Sequence, residues 1–368
     1  MEELSIVTII SSFGFIIGII FGATAQRTNF CTMGAISDVI FMNDWSRLRA
    51  WLLAIAIALS LSQMLHIDGY INLNESIYLT PNLGWGGALI GGILFGFGMT
   101  IAGGCSNKTL VRLGAGNLKS LIVFIFLGIF AYMTLRGFIG PARLFLEDLT
   151  IINLKESGHS TQAIPEIFAN IFDIKENILR PLISGIISLV LCIFCFKDQE
   201  FRRSPKNIAA GCIIGVLIPI AWYVTGVLGK DDFDPTPLAS FSFVAPSGNS
   251  IQYLMTFTGS TIDFGIATVG GVVFGSFLMS KSRGEFRLES FTSTDDFIRH
   301  IVGASMMGTG GVLALGCTIG QGVTGLSTLA IGSLIALAAI FMGAIYGLKY
   351  LEEGSLLEAL KAIIPSNK

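Results

Sequence analysis

Residues Ile301–Leu348 run for 48 positions without an Asp, Glu, Lys or Arg, and that stretch constrains the chain more than any other. A bilayer core of roughly 30 Å takes about 20 apolar residues per helix, so the run holds two spans. Seven further charge-free runs surround it: Ser5–Gln26, Ala50–Leu65, Leu83–Gly104, Ser120–Leu135, Pro181–Phe196, Ile208–Gly229 and Phe264–Ser280. Nine crossings result, several short or interrupted by glycine, as discontinuous membrane helices are. Charged residues make up 13% of the chain, hydrophobic ones 52%, and the mean hydropathy is +0.73. A soluble domain carries roughly 25% charged residues. A soluble enzyme, a disordered chain and a disulfide-rich secreted module are therefore excluded. With 23 Lys and Arg against 25 Asp and Glu, no basic excess is available to hold nucleic acid. The expected class is an all-α polytopic membrane protein.

Orientation follows from the basic residues in the connections. Loops near 43–49, 106–119, 197–207 and 281–300, with the C-terminal tail, carry 16 Lys and Arg; loops near 66–82, 136–180 and 229–262 carry 6. That split predicts a cytoplasmic C-terminus and a periplasmic N-terminus. Met1–Leu4 contains Glu2 and Glu3, where a cleavable leader has a basic segment, so the first apolar run is expected to persist in the mature protein.

Two stretches align without a gap around a cysteine: GFGMTIAGGCSNKTLVRLGAG at 96–116 and GTGGVLALGCTIGQGVTGLST at 308–328. The offset, 212 residues, also carries the span Trp51–Leu65 onto Asp263–Phe277. By the loop count, the span before Cys105 runs inward and the span before Cys317 runs outward. Matching segments of opposite direction form an inverted repeat, with a site expected near the midplane between the halves. The predicted division is 1–196 and 208–368, joined by a cytoplasmic linker at 197–207.

Cys31, Cys105 and Cys317 each end an apolar stretch and precede small or hydroxyl residues. Gly104 and Gly316, directly before two of them, let the backbone leave helical geometry and approach a ligand closely. Helix ends there expose N–H groups that attract anions, and irregular backbone within a membrane is tolerated where it lines a cavity. The thiol adds a soft, polarisable group with a weak donor hydrogen. Together these suit a small anion that carries sulfur or selenium. Asn107, Thr109, Thr318 and Gln321 follow the repeated cysteines and can serve as hydrogen-bond donors. Arg27, four residues before Cys31, reads either as an intramembrane charge with a function or as an interfacial residue snorkelling to head groups. Cys192, Cys195 and Cys212 read as small core hydrophobes. Three scattered histidines make no metal cluster, and the chain lacks a phosphate-binding GxxxxGK[ST] loop; no cofactor is expected.

The GxGxxxAGGC run, the later GC with its small residue, and the early RTxFC segment resemble the YeeE/YedE family of bacterial inner-membrane sulfur transporters, over nearly the whole chain. The resemblance implies about nine spans with short helices and loops dipping in from both faces, an hourglass profile, and thiosulfate uptake. It also implies that Cys31, Cys105 and Cys317 hand thiosulfate from one to the next through S–H···S contacts, and that a cytoplasmic TusA-like sulfurtransferase receives the sulfur. Ser106, Asn107 and Lys108 depart from the smaller residues expected after that cysteine, leaving the exact anion open, selenium compounds included. A membrane thiol-redox protein and a membrane anchor for a sulfur carrier are the readings from other classes.

Overall fold

The computed structural model describes residues 6–230 and 236–363; Glu2, Glu3 and Lys368, on which the readings of the termini drew, lie outside them. The chain is helical nearly throughout. Its first part runs α1 (Ile6–Thr28), α2 (Thr32–Met42), α3 (Ser46–Ile67), α4 (Trp85–Ile101), α5 (Ser106–Gly114) and α6 (Leu118–Arg136). Three shorter elements and a long helix follow: α7 (Gly140–Thr150), α8 (Ile164–Phe172), α9 (Glu176–Lys197) and α10 (Gln199–Arg202). The remainder comprises α11 (Pro205–Tyr223), α12 (Ala245–Met255), α13 (Phe264–Ser282), α14 (Thr294–Leu313), α15 (Ile331–Glu353) and α16 (Leu356–Ile363). One two-stranded antiparallel ribbon, β1 (Asn82–Gly84) with β2 (Ile151–Asn153), pins the α7–α8 connection against the α3–α4 loop.

Eight segments among the described residues are long and apolar enough to cross a membrane, with α1–α2 and α4–α5 each counted as one. The nine-span expectation differs by α14. This helix has 20 residues and packs between α4 and α6, but it starts seven residues before the apolar run, with Asp295 and Asp296 in its first turn and Arg299 soon after. Those charges lower its hydropathy below that of a free-standing span. Helix α9 shows the opposite character: Ile178, Leu182, Ile186, Leu189 and Ile193 are each more than half exposed. A stripe of that kind has no place in water and belongs against lipid. The protein is a multi-pass membrane protein.

Small residues bring the helices together, since lipid gives apolar helices no hydrophobic reason to associate. Gly14, Gly18 and Gly22 on α1 sit directly against α13, whose Gly271 and Gly275 answer them. The 212-residue offset places α2 on 244–254, α4 on 297–313 and α6 on 330–348, the positions of α12, α14 and α15. The matched elements pack crosswise: α1 lies along α13 while α11 lies along α3, and α4 lies along α15 while α14 lies along α6. At the centre α4 and α14 cross each other. A Cβ on Gly91 would stand 2.6 Å from the Gly310 carbonyl, and one on Gly98 would stand 2.7 Å from that of Gly303. Gly303 and Gly310 are Gly91 and Gly98 advanced by 212. Each glycine therefore meets its partner's counterpart, the self-complementary contact a two-fold axis produces, and the two helices run antiparallel.

Loop pairings follow the basic count. Arg49 reaches Asp198 at 2.7 Å, Asn117 donates to Glu289 at 2.7 Å and Lys119 pairs with Asp296 at 2.7 Å. On the opposite set of loops, the Leu154 N–H donates to the Pro81 carbonyl at 3.0 Å and Gln162 donates to that of Thr80 at 3.1 Å. Each of these bonds joins segments assigned to the same side.

Candidate functional site

The three cysteines occupy three copies of one backbone corner. A long helix (α1, α4 or α14) ends, and one or two residues later comes a left-handed residue: Asn29 (φ 55°), Gly103 (φ 72°) or Leu315 (φ 56°). The next N–H reaches back five residues to a carbonyl of the helix: Phe30 to Ala25 at 3.2 Å, Gly104 to Met99 at 2.8 Å, Gly316 to Gly311 at 2.8 Å. That six-to-one bond is the Schellman closure of a helix C-terminus. One residue further stands the cysteine, and its own carbonyl accepts the first bond of a new short helix, from Ala35 (3.0 Å), Thr109 (2.9 Å) and Gln321 (2.8 Å). Gly103 suits its positive φ without strain; Asn29 is among the residues that tolerate it, and Leu315 is not. The short helices are α2, α5 and the segment beginning at Thr318, which includes a wide π-type turn at Gly320–Gly325. The chain thus breaks at all three thiols and resumes with free N–H groups beside each sulfur. Gly34 N–H donates to the Cys31 sulfur at 3.5 Å and Gly320 N–H to that of Cys317 at 3.4 Å. The Cys105 thiol donates to the Asn107 side-chain oxygen.

The corners meet. Cys31 and Cys105 face each other, and the Thr318 side chain lies beside Cys105. All three thiols are buried, Cys31 at 6% exposure and the others at 0%. Three cations stand near Cys31: Lys108, Arg112 and Arg47. Lys108 and Arg112 lie one turn apart on α5, and each secures a corner. Lys108 Nζ donates to Asn29 Oδ1 at 3.0 Å and Arg112 Nη1 to the Gly103 carbonyl at 2.6 Å. Both place positive charge at the negative end of a helix, where it stabilises. Arg47 forms an ion pair with Asp38 on α2. Gln321 serves the third corner, its Nε2 donating to the Ala314 carbonyl at 2.5 Å.

From the other side, a cavity of about 470 Å³ lined by Tyr78, Trp222, Ser240 and Ser242 extends to Leu315 and Gly316, at the Cys317 corner. Tyr78 is buried beside Cys317, and a Cβ on Gly320 would be 3.5 Å from its hydroxyl. The offset places Phe243 where a counterpart of Cys31 would fall; it is buried in a ring cluster with Phe21 and Phe241. The repeat therefore presents three thiols and one aromatic.

Of the residues singled out from sequence, Cys31, Cys105, Cys317, Gly104, Gly316, Asn107 and Gln321 all lie at the corners. Asn107 Nδ2 and Gln321 Oε1 are buried without a hydrogen-bond partner, while Thr109 closes on the Cys105 carbonyl at 3.1 Å. Arg27 is exposed in the last turn of α1, the position of an interfacial residue. Asp263 caps α13 by accepting from Ile266 N–H at 2.7 Å. Cys195 donates to the Arg49 carbonyl at 3.2 Å, and Cys192 and Cys212 sit half-buried on α9 and α11. Lys108, Arg112 and Tyr78 were not anticipated. The one available signal was the pair of basic residues four apart directly after Cys105.

Comparison with known proteins places the site in context. The profile of a family described as Sulphur transport matches residues 27–346. The chain is 23% identical over 329 residues to the thiosulfate transporter TsuA of Escherichia coli (strain K12), covering 84% of this chain and 86% of the relative. It is 24% identical over 321 residues to a thiosulfate transporter TsuA from Spirochaeta thermophila, covering 85% and 90%. The probable transporter YedE of Escherichia coli (strain K12) matches a shorter stretch, 29% identical over 103 residues, or 27% of this chain and 23% of the relative.

Proposed function

Because the chain belongs to the Sulphur transport family, we propose that it carries thiosulfate inward across the bacterial inner membrane, along the line Cys317, Cys105, Cys31. The observation that carries this reading is the triple corner: three buried thiols, each at the start of a short helix, between a cavity on one side and a cationic cluster on the other. The names of the two long-matching relatives support the choice of anion.

The chemistry suits the task. Moving an ion from water into an apolar medium costs on the order of 20 kcal/mol by an idealised Born estimate, so a dianion needs partners throughout. Each short helix offers an N-terminus equivalent to roughly half a positive charge. A neutral thiol adds a weak S–H donor to the sulfur end. A line of weak sites favours passage, because conduction needs binding that also releases. Lys108, Arg112 and Arg47 attract the anion at the far end, where the 16-to-6 split of basic loops puts the cytoplasm. In this reading 1–196 and 208–368 are the two halves of the passage, joined by the linker 197–207, and a TusA-like sulfurtransferase collects the sulfur at the cationic end.

The test is uptake of labelled thiosulfate by cells that lack their own sulfate and thiosulfate importers. Excess unlabelled thiosulfate should abolish the signal while equal sulfate leaves it, because sulfate has the charge and shape but no terminal sulfur. Equal competition by sulfate, or no uptake above the empty host, contradicts the reading.

A further inference from the structure

A hydroxyl residue follows each of the three cysteines: Thr32, Ser106 and Thr318. All three are buried, at 0%, 1% and 0% exposure, and none of their oxygens makes a hydrogen bond of good geometry, the Thr318 hydroxyl having only the Cys105 thiol beside it. That combination is unusual here, because buried hydroxyls in this protein are generally paired. Thr134 donates to the Phe130 carbonyl, Thr225 to that of Ala221 and Ser250 to that of Pro246, each four residues back along its own helix. Among the described residues, seven Ser or Thr hydroxyls are buried and unpaired, and three of them are these.

Geometry gives the reason. A hydroxyl in mid-helix satisfies itself on the carbonyl one turn earlier. At the first position of a helix that carbonyl belongs to the preceding corner and points elsewhere. The corner that presents the sulfur therefore also leaves the next hydroxyl free. Asn107 Nδ2 is left free in the same place. An orphaned buried donor costs free energy unless something completes it, and the repetition at all three thiols argues against accident.

We propose that each station on the passage has two parts: the thiol takes the sulfur end of the anion, and the hydroxyl of Thr32, Ser106 or Thr318 donates to its oxygens, with Asn107 Nδ2 assisting at the middle station. This deepens the thiosulfate reading and rests on it. The substrate class is thereby narrowed to anions with a tetrahedral oxyanion head and one soft terminal atom, thiosulfate and selenosulfate being the simplest. No bond is made or broken, and the hydroxyls carry the anion's oxygens as the thiols carry its sulfur. The two side chains beside each other at the middle of the passage, Thr318 and Cys105, come from different halves of the repeat, so an anion passing between them can exchange its hydroxyl partner before its thiol partner.

The test is thiosulfate uptake into proteoliposomes by the purified wild type and by Thr318→Val, Thr318→Ser, Ser106→Ala and Ser62→Ala. Valine keeps the shape of threonine without the hydroxyl, and serine keeps the hydroxyl. Ser62 on α3 is equally buried and unpaired but follows no cysteine. A hydrogen bond to a charged group lost in this way should raise the KM at least tenfold for Thr318→Val and Ser106→Ala. Thr318→Ser, which keeps the hydroxyl, should recover most of that loss, and Ser62→Ala should stay within about twofold of wild type, the scatter expected where no bond to a charged group is lost. Wild-type uptake with an unchanged KM in Thr318→Val overturns the role of the hydroxyls while leaving the transport reading intact. An equal loss in Thr318→Ser marks Thr318 as a packing residue and likewise overturns it. A wild type that takes up no thiosulfate overturns the transport reading itself.

Discussion

Lys108 on α5 donates to the side chain of Asn29 across 3.0 Å, and Asn29 is the left-handed residue that turns the chain toward Cys31. The residue three beyond one thiol thus fixes the backbone that presents another. Arg112, one turn later, does the same for the Gly103 corner and so for Cys105. Helix α5 is the clamp of the three-cysteine cluster, its two cations holding the corners that present Cys31 and Cys105.

Removing one clamp tests this arrangement. Lys108→Met keeps most of the buried stem and removes the hydrogen bond to Asn29 Oδ1, a loss of about 1 kcal/mol, since Asn29 is exposed and water can replace the donor. Thermal unfolding in detergent should show that destabilisation, and uptake should fall at least tenfold. Lys108→Arg, which retains the charge, should recover part of the activity. Full uptake by Lys108→Met would remove Lys108 from the site.

Helix packing yields a sharper contrast. A Cβ at Gly22 runs into the backbone of Val272, whereas a Cβ at Gly185 on α9 meets nothing within 4 Å. Gly22→Val should prevent α1 from closing on α13 and cost several kcal/mol, as overpacking against backbone does. Gly185→Ala should be neutral or stabilising by up to about 1 kcal/mol, from helix propensity alone. Melting of the two purified variants checks both; comparable stability would mean that α1 and α13 do not need their close approach.

Glu166 on α8 provides a pH handle outside the spans. Burial pushes its carboxyl up, but the Thr161 and Ser160 hydroxyls and the Ser160 and Thr161 backbone outweigh burial and hold it below the usual carboxylate range. The bonds dock the segment whose Ala163 bridges to Ala330 at the foot of α15. A lowered folded-state value means stability that is present above the unfolded pKa, roughly 4.3, and lost as pH falls through the folded value. Glu166→Gln should therefore melt below wild type at pH 7, and the gap should close as the medium is acidified below pH 4. A gap independent of pH would show that the carboxylate charge is not what docks the loop.

Much of this was legible in the sequence, and the reasons differ by feature. Charge-free runs report spans because lipid excludes charge, and the GC dipeptides at a 212-residue offset report corners because a broken helix in a membrane needs small residues. The start of α14 was misplaced because Asp295, Asp296 and Arg299 read as loop, although Ser293 caps the helix that contains them. Arg27 read as a candidate site residue because it interrupts an apolar stretch, yet the last turn of α1 carries it to the surface. Lys108 and Arg112 were missed for the opposite reason: a basic pair four apart looks like a solvated helix face, and only the fold brings it onto Asn29 and Gly103. The reciprocal meeting of Gly91 with Gly310 and of Gly98 with Gly303 could not be read from one strand of text, since many glycines share their surroundings.

The central claim is that thiosulfate passes by way of the Cys105 sulfur, and one measurement addresses it directly. Labelled thiosulfate uptake is compared, at matched amounts of inserted protein, for wild type, Cys105→Ala, Cys317→Ala and Cys195→Ala. The account predicts that uptake is abolished in the first two variants and close to wild type in Cys195→Ala, whose thiol only meets the Arg49 carbonyl. Wild-type uptake by Cys105→Ala would contradict it.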